Sequence, residues 1–270
     1  MHELPLSDHV FAQIRGLMHE SIGLDLAPHK RTLVSARLGP RIHRLGLHDF
    51  DAYLSRVCGD ADGGEFQMMV DLLTTNETYF FREPKHFDVM VAELTELRPA
   101  SVRVWSAASS FGDEAYTLAM LLSEMASRRV IGQDWSVLGT DISDRVLRSA
   151  KEGIYPAERL RHVGEERLKR HCLQGHGEAE GLVAIRPELK SHVSFGQVNL
   201  CHSVQGVGLF DVVFLRNVLI YFDAPTKSQV VERVLAQLKP GGLFFIGSAE
   251  GRVPCATGLV PIVPGAFRKA

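Results

Sequence analysis

The chain has 270 residues, of which 45% are hydrophobic and 23% are charged, and its formal net charge is -2. These values fit one large or two ordinary globular domains, and they exclude a general electrostatic attraction to nucleic acid or to a membrane surface. The four cysteines include no C-x-x-C pair and the histidines form no H-E-x-x-H pattern, so we expect reduced thiols in a cytoplasmic protein and no metal site. Without a run of ~18 apolar residues or a basic-then-apolar N-terminus, neither a membrane-spanning helix nor a signal peptide is predicted.

The chain up to residue 97 has the periodicity of amphipathic helices. Ser7 or Asp8 would cap the first helix, and Pro84 suits the first turn of the last one. Gly39 and Pro40 are expected to kink or interrupt the second helix, because proline removes a backbone donor. Since no segment here alternates like a strand, residues 1–97 are predicted to form an all-helical domain, with helices in DHVFAQIRGLMHESIGL, HKRTLVSARLGPRIHRLGL, DFDAYLSRVC, EFQMMVDLLTT and EPKHFDVMVAELTEL.

From residue 98 onward, strand-like and helix-like segments alternate. This alternation predicts an α/β domain over residues 98–270, with a parallel sheet covered by helices on both faces. The predicted strands are SVRVWSA, WSVLGTD, LFDVVFLRN and LFFIGSAE. The predicted helices are FGDEAYTLAMLLSEMAS, SDRVLRSAKEG and APTKSQVVERVLAQLKPGG, the last of which ends at Gly-Gly.

One segment, at about residues 171–195, breaks the alternation. It contains Gly175, Gly177 and Gly181, and then two short strand-like pieces, LVAIR and HVSF. We predict a small antiparallel insert that rejoins the main sheet at HVSFGQVNL.

The first strand runs into small residues and then into a helix, in VWSAASSFGDEAYTLAM. Small residues allow close approach of a ligand to the backbone, and a helix N-terminus offers free N–H groups. Only Gly112 is present, so the G-x-G-x-x-G pattern of dinucleotide sites is missing. Asp113 and Glu114 in the first helical turn would repel a pyrophosphate, which favours a cationic cofactor without phosphates, such as S-adenosylmethionine. The alternative is an acidic helix start with no ligand.

Two further strand ends carry polar residues. Asp141, in LGTDISD, lies where an acidic residue commonly binds ribose hydroxyls; alternatively, Asp141 or Ser143 only caps the next helix, and capping by Ser143 would leave Asp141 free. The strand in FDVVFLRNVLIYFD ends at Arg216 and Asn217, which are costly to bury unpaired. Asn217 and Tyr221 would then line a pocket, unless this is an ordinary strand-to-helix turn with Tyr221 in the core.

Arg37, Arg41 and Arg44 are spaced so that they share one face of the second helix. Such a basic stripe is either a solvated face or a docking surface for an acidic partner helix.

Five motifs occur in the order and spacing of one family: NETYFFREPKHF, RVWSAASSFGDEAYTLAM, GTDISDRVLRSAKEGIY, VNL and RNVLIYFD. Over nearly its whole length the chain resembles the chemotaxis receptor methyltransferases, the CheR family. The resemblance implies an all-helical N-terminal domain and a Rossmann-like domain that binds S-adenosylmethionine and carries a small antiparallel β-subdomain. It implies methyl-ester formation on glutamates of chemoreceptor cytoplasmic helices, with S-adenosylhomocysteine as the product.

The resemblance also implies roles for single residues. Arg82 and Tyr221 would lie near the transferred methyl group, and Arg37, Arg41 and Arg44 would face the receptor. Phe80 and Phe81 would anchor the segment TTNETYFFREPKHF in the core, so that its polar residues reach the cofactor. The cofactor contacts implied by the family are Asn76, Thr78, Arg82, Glu114, Asp141, Asn199, Leu200, Asn217 and Val218.

The chain departs from the family at the cofactor loop and in the insert. Phe111 stands where the family has a small hydroxyl residue and Ala115 where it has proline, which would alter cofactor affinity or loop shape. Two other functions therefore stay open: methylation of a small molecule, which would leave the basic stripe without a role, and a non-catalytic module that binds cofactor or receptor.

The insert LQGHGEAEGLVAIRPEL resembles the subtype whose β-subdomain binds the C-terminal pentapeptide of a receptor. Gly175 and Gly181 match the glycines of that subtype. Its arginine is replaced by Ala184, and Arg186, expected two residues on along the same strand face, would take its place in binding the peptide.

Overall fold

A computed structural model describes residues 4–251 and 258–270; Cys255 lies outside the described residues. The N-terminal part is helical, and its helices bury one apolar face each in a shared core. In the first helix Val10, Ile14 and Met18 are inward, and the Ser7 hydroxyl caps the helix by accepting from the Val10 N–H at 3.2 Å. The first four helices are α1 (Asp8–Ile22), α2 (Arg31–Arg44), α3 (Phe50–Gly59) and α4 (Gly64–Leu73).

Helix α2 runs unbroken through Pro40, so the predicted interruption is wrong. Pro40 faces solvent, whereas Leu38 and Ile42 on either side of it are fully buried. Burial of these neighbours holds the helix together although an internal proline costs about 3 kcal/mol.

A seven-stranded sheet forms the core of the second part, in the order β6-β2-β1-β7-β8-β10-β9. The first five of these strands are parallel to their neighbours, and β10 is antiparallel to both β8 and β9. This confirms the predicted α/β class. The strands are β1 (Ser101–Ala107), β2 (Asp134–Asp141), β3 (Ile154–Pro156), β4 (Cys172–Gln174), β5 (Leu182–Ile185), β6 (Val193–Gln197), β7 (Phe210–Leu215), β8 (Leu238–Ile246), β9 (Leu259–Val263) and β10 (Ala266–Lys269).

The second part has six helices among the described residues; the four longest follow predicted segments and cover the large sheet, whereas the short helix of residues 165–171 packs against the small sheet. They are α5 (Pro84–Leu97), α6 (Asp113–Ser127), α7 (Asp144–Glu152), α8 (Glu165–His171), α9 (Pro187–Lys190) and α10 (Ala224–Ala236). Helix α10 ends before the predicted Gly-Gly, because Leu238 already pairs with Phe210 across the sheet. No helix in the described part of the chain is long and apolar enough to cross a bilayer.

Helix α5 packs on the sheet and not in the helical domain. Phe87, Met90 and Leu94 of α5, together with Phe80, belong to the same buried cluster as strands β1 and β7. Helices α1 to α4 form a separate cluster that ends at Leu73. The boundary between the two cores therefore lies near residue 75, earlier than the predicted position after residue 97.

The small antiparallel sheet has the order β3-β5-β4 and spans residues 154–185 rather than the predicted 171–195. Its first strand is only three residues long and ends in Pro156, so no alternating pattern predicts a strand there. The predicted piece HVSF is part of β6, which lies at the edge of the large sheet beside β2. We call residues 154–185 the β-subdomain.

Candidate active site

A cleft lies at the carboxyl ends of β1, β2 and β7, where ligands of open α/β sheets bind. One wall is the extended segment of residues 74–79, which joins the two cores and is called the strap below. This wall is extended by Ile22, the last residue of α1, and by Leu24, two residues further on. The helical domain therefore closes the cleft from outside the sheet.

The loop between β1 and α6 has an unusual backbone. Ala108, Ser110 and Gly112 all have positive φ angles, of 62°, 51° and 89°. Holding a non-glycine residue at such left-handed backbone angles costs of order 1–3 kcal/mol, and residues of this kind cluster at ligand sites. The Ser109 Oγ atom at this wall of the cleft is buried and has no hydrogen-bond partner among the described residues.

Asp141 lies at the end of β2 with its carboxylate in the cleft. The backbone N–H groups of Ser110 and Ser143 each donate to one of its oxygens at 2.9 Å. Ser143 also caps α7 by accepting from the Val146 N–H at 3.4 Å. Burial raises the pKa of Asp141, and the N–H groups oppose that rise. Since a carboxylate has about four acceptor positions, two remain for ribose hydroxyls.

Glu114 belongs to an ionic cluster with Arg216 and Glu83. The sequence predicts Glu114 at the site but neither of its two partners. Its carboxylate accepts from the Ser106 hydroxyl at 2.7 Å and from the Arg216 guanidinium at 3.0 Å. Arg216 also lies 3.3 Å from Glu83 and donates to the Arg82 carbonyl at 2.6 Å. The cluster thus ties the start of α6, the end of β7 and the segment before α5 together.

The two carboxyl groups of this cluster, Glu83 and Glu114, have pKa values shifted in opposite directions. Burial raises the pKa of Glu83, but Arg216 and hydrogen bonds from Ser248 and Asn217 lower it to about 2. Burial raises the pKa of Glu114 even with Arg216 beside it. A cationic ligand group at Glu114 would therefore be stabilised, because it would lower the cost of the buried carboxylate. Arg216 was flagged as costly to bury but not assigned to the site; its position after a buried strand was the signal.

The strap places its polar groups at the cleft. The Asn76 carbonyl accepts from the Ser110 hydroxyl at 3.2 Å, which joins the strap to the β1–α6 loop. Arg82 donates to the Glu77 carbonyl at 2.9 Å, and its guanidinium lies 6.0 Å from the centre of the Tyr79 ring. Phe80 is fully buried in the sheet core, as expected for an anchor.

Tyr221 faces the strap across the mouth of the cleft. Its hydroxyl donates to the Thr75 carbonyl at 3.5 Å. Burial raises the pKa of Tyr221, and the positive charges of Arg82 and Arg37 oppose this rise. The hydroxyl is therefore protonated near neutral pH and is available as a donor.

The two later pairs of predicted cofactor residues are held by neighbouring loops. Asn199 donates to the Ser21 carbonyl at 2.7 Å and accepts from the Cys201 N–H at 3.0 Å, so it also contacts the last turn of α1. Asn217 has a positive φ of 60°. The Val218 N–H donates to Glu250 at 2.7 Å.

The cleft brings all predicted cofactor and catalytic residues together. Its lining includes Asn76, Thr78, Arg82, Glu114, Asp141, Asn199, Leu200, Asn217, Val218 and Tyr221. In the described residues no group of three or more His, Cys, Asp or Glu side chains is placed to hold a metal ion.

Phe111 and Asp113 point away from the cleft. The Phe111 ring packs between two guanidinium groups, with Arg159 at 4.5 Å and Arg145 at 5.5 Å from its centre. Asp113 is fully buried and pairs with Arg159 at 2.6 and 3.0 Å. The Phe111 ring therefore does not occupy cofactor space; it fastens the loop to the β-subdomain, where the Tyr155 hydroxyl donates to the Phe111 carbonyl at 2.7 Å.

The structure corrects the expected basic stripe on α2. Arg41 makes a bidentate ion pair with the nearly buried Glu65, and Arg37 donates to backbone carbonyls at the end of α4. Both point inward because α4 packs against this face of α2. Of the three arginines only Arg44 is exposed, with no ion pair or side-chain hydrogen bond to the described residues.

The backbone of the β-subdomain requires glycine at positions 175 and 181. A Cβ on Gly175 would lie 2.1 Å from the Ala179 carbonyl oxygen, and Gly181 has a φ of 81°. The expected position of Arg186 on the strand face is wrong, because β5 ends at Ile185 and the Arg186 side chain donates to the Lys169 carbonyl at 3.3 Å.

The cleft fits S-adenosylmethionine. It offers the Glu114 carboxylate to a cationic group and the Asp141 carboxylate to ribose hydroxyls. Together with the parallel sheet, these features define a Rossmann-like S-adenosylmethionine-dependent methyltransferase with an added helical domain.

Comparison with known proteins identifies the family. Residues 9–74 match the sequence model of the CheR methyltransferase all-alpha domain, and residues 76–260 match that of the CheR methyltransferase SAM binding domain. The chain belongs to the CheR methyltransferase family, which confirms the resemblance and the cofactor class.

Bacterial relatives are similar over most of their length. The chain is 42% identical over 248 residues to the chemotaxis protein methyltransferase of Klebsiella aerogenes, with 92% of this chain and 84% of the relative aligned. It is 41% identical over 248 residues to that of Escherichia coli, with 92% and 86% aligned. Among solved structures, the glycopeptide N-methyltransferase MtfA with sinefungin is similar at a TM-score of 0.38, with 14% identity, 65% of this chain and 53% of that chain.

Proposed function

We propose that this enzyme transfers a methyl group from S-adenosylmethionine to glutamate side chains on the cytoplasmic helices of chemoreceptors, and that it works in the cytoplasm. The observation that carries the proposal is the cleft lining, which brings Arg82 and Tyr221 together with the carboxylates of Glu114 and Asp141. The similarity to chemotaxis protein methyltransferases at about 40% identity supports the receptor as substrate.

The acceptor needs no general base. A glutamate carboxylate is ionised near pH 7, since its reference pKa is about 4.3, and it is already a nucleophile. When bound, S-adenosylmethionine supplies a methyl group activated by its sulfonium. The task of the protein is therefore to align the two groups and to exclude water, which can lower a barrier by roughly 7–11 kcal/mol.

Each wall of the cleft has a part in this alignment. We assign Glu114 to the cationic methionine end and Asp141 to the ribose, because these are the two buried carboxylates of the cleft. Asn76 and Thr78 of the strap would hold the cofactor from the opposite side. The later contacts would come from Asn199, Leu200, Asn217 and Val218.

Arg82 and Tyr221 would act on the acceptor. The Arg82 guanidinium would orient the incoming carboxylate, and the protonated Tyr221 hydroxyl would shape the channel for the methyl group. Neither side chain needs to change its protonation state.

For the receptor, we keep Arg44 as the basic group of α2 that faces the acidic methylation helix, because it is exposed. The β-subdomain is the proposed contact for a receptor C-terminal pentapeptide, with the tight turns at Gly175 and Gly181 setting its shape. Comparing affinity for a receptor with and without its last five residues tests this contact.

The main test is incorporation of base-labile methyl label into receptor-containing membranes from labelled cofactor. We expect Arg82→Ala and Tyr221→Phe each to lower transfer by at least about tenfold while the thermal unfolding midpoint changes little. Arg148→Ala, which removes an exposed arginine on α7, is the matched control and should leave transfer unchanged. Unchanged turnover in both cleft variants would remove their assigned roles. Transfer to a small acceptor but to no receptor would refute the proposed substrate.

A further inference from the structure

Arg37 of α2 is directed at the C-terminal end of α4 and not at solvent. Its Nη1 atom lies 2.8 Å from the Leu73 carbonyl oxygen, 3.1 Å from that of Thr74 and 3.5 Å from that of Leu72. Its Nη2 atom donates to the Thr75 hydroxyl at 3.0 Å. One side chain thus contacts four consecutive residues, at the point where the helical domain passes into the strap.

These contacts meet a specific need of α4. The last carbonyls of a helix have no partners within it and carry the negative end of the helix dipole, which a cation stabilises. Many helices end in a left-handed glycine that supplies the missing donors. Helix α4 ends at Leu73 and is followed instead by Thr74, whose φ of -70° and ψ of 147° are extended. The Arg37 guanidinium supplies donors that such a glycine would otherwise bring.

The residues that follow are the strap, and they line the cofactor cleft. Thr74 to Tyr79 are all at its wall. Thr75 is held from two sides, by Arg37 at its hydroxyl and by the Tyr221 hydroxyl at its carbonyl. The next residue, Asn76, is joined to the β1–α6 loop through Ser110. Arg37 therefore fixes the point from which the strap starts across the cleft.

The same contacts leave little of Arg37 for a partner protein. Arg37 is partly buried and its Nη atoms are already engaged with the backbone, whereas Arg44 on the same helix is exposed. Arginine is suited to such a place because its planar group presents several donors in a fixed fork, which the single ammonium of lysine cannot reproduce.

We infer that Arg37 is a positioning residue for the cofactor: it sets the strap, and through the strap the cofactor contacts of Asn76 and Thr78, without touching cofactor or receptor. The inference rests on the proposed function only for the identity of the ligand in the cleft.

The experiment measures the affinity of the full chain for S-adenosylhomocysteine by titration calorimetry, with no receptor present. We expect Arg37→Gln to weaken binding by about tenfold, Arg37→Lys to restore part of the loss and Arg44→Gln, the matched control on the same helix, to bind like wild type. Circular dichroism melting of each variant shows whether the chain is folded. If Arg37→Gln does not fold, the comparison is made with Arg37→Lys, which keeps the charge but not the fork and should bind severalfold more weakly than wild type.

A second measurement separates positioning from docking. With labelled cofactor varied at fixed receptor, Arg37→Gln should raise the KM for the cofactor; with receptor varied at saturating cofactor, the KM for the receptor should stay within about twofold. Wild-type affinity for S-adenosylhomocysteine in both Arg37 variants, with a raised receptor KM, would overturn the inference and return Arg37 to the docking surface. A wild-type chain that bound no S-adenosylhomocysteine would overturn the proposed function as well as this inference.

Discussion

The ion pair between Asp113 and Arg159 gives a prediction whose size follows from burial. The Asp113 side chain is fully buried, the Arg159 side chain is 23% exposed, and two hydrogen bonds join them. Removing one partner of a buried pair typically costs about 3–5 kcal/mol, because the other charge is left without compensation. Since Arg159 reaches solvent on one side, we expect Arg159→Met to lower the free energy of unfolding by about 3 kcal/mol, the lower end of that range.

The loss should depend on pH. Burial already raises the pKa of Asp113 in the folded chain. A carboxyl group whose folded pKa lies above its unfolded value binds its proton more tightly in the native state, so its contribution to stability falls as pH rises through the folded pKa. Without Arg159 the folded pKa moves further up. The deficit of Arg159→Met should therefore be large at about pH 8 and should shrink as the pH is lowered toward about 5.

Urea unfolding followed by circular dichroism at both pH values measures the effect. Arg161→Met is the matched control, since Arg161 makes exposed contacts, with Glu158 at 3.8 Å and with the neighbouring His162 at 3.1 Å, and its loss should cost no more than about 1 kcal/mol. Adding Asp113→Asn to Arg159→Met should recover part of the loss, because a neutral amide is cheaper to bury unpaired than a charge. An equal deficit at both pH values, with no recovery in the double variant, would show that lost packing and not charge is responsible.

Two glycines give opposite expectations. Gly16 lies inside α1, and no atom lies within 4 Å of a Cβ added there. Gly16→Ala should therefore raise the free energy of unfolding, measured by urea titration, by roughly 0.5–1 kcal/mol. A free energy of unfolding below that of the wild type would contradict the open space at that site. Gly175→Ala would bring a Cβ within 2.1 Å of the Ala179 carbonyl oxygen. We therefore expect faster proteolysis within the β-subdomain, with the affinity for S-adenosylhomocysteine unchanged. A proteolysis rate equal to that of the wild type would show that the turn can shift to accommodate the added methyl group.

The main sheet and the cleft residues were predictable because their signals are local. Strands β1 and β7 are buried apolar runs, and the polar residues that follow them must meet at one edge of a parallel sheet. For the same reason Asp141 and Asn217 could be assigned to the cleft before its geometry was known.

What the sequence could not supply depends on contacts between distant segments. Periodicity places Arg37 and Arg41 on one helix face, but it does not say that α4 covers that face. Helix α5 has the same amphipathic pattern as α1, so only packing shows that it belongs to the sheet. Glu83 lies in the Arg216 cluster because the segment just before α5 meets the end of β7, which no spacing rule predicts.

The cleft is also the seam between two separately packed cores. Ile22 and Leu24 belong to the helical core and Phe87 to the sheet core, yet all three line the same cavity. A ligand that binds only the assembled cleft stabilises both sides at once, by about 2.7 kcal/mol at a concentration of 100 times its Kd. Binding of the cofactor or of its demethylated product therefore couples the two cores. As the ligand concentration rises, the helical core and the sheet core are expected to unfold in one transition rather than separately.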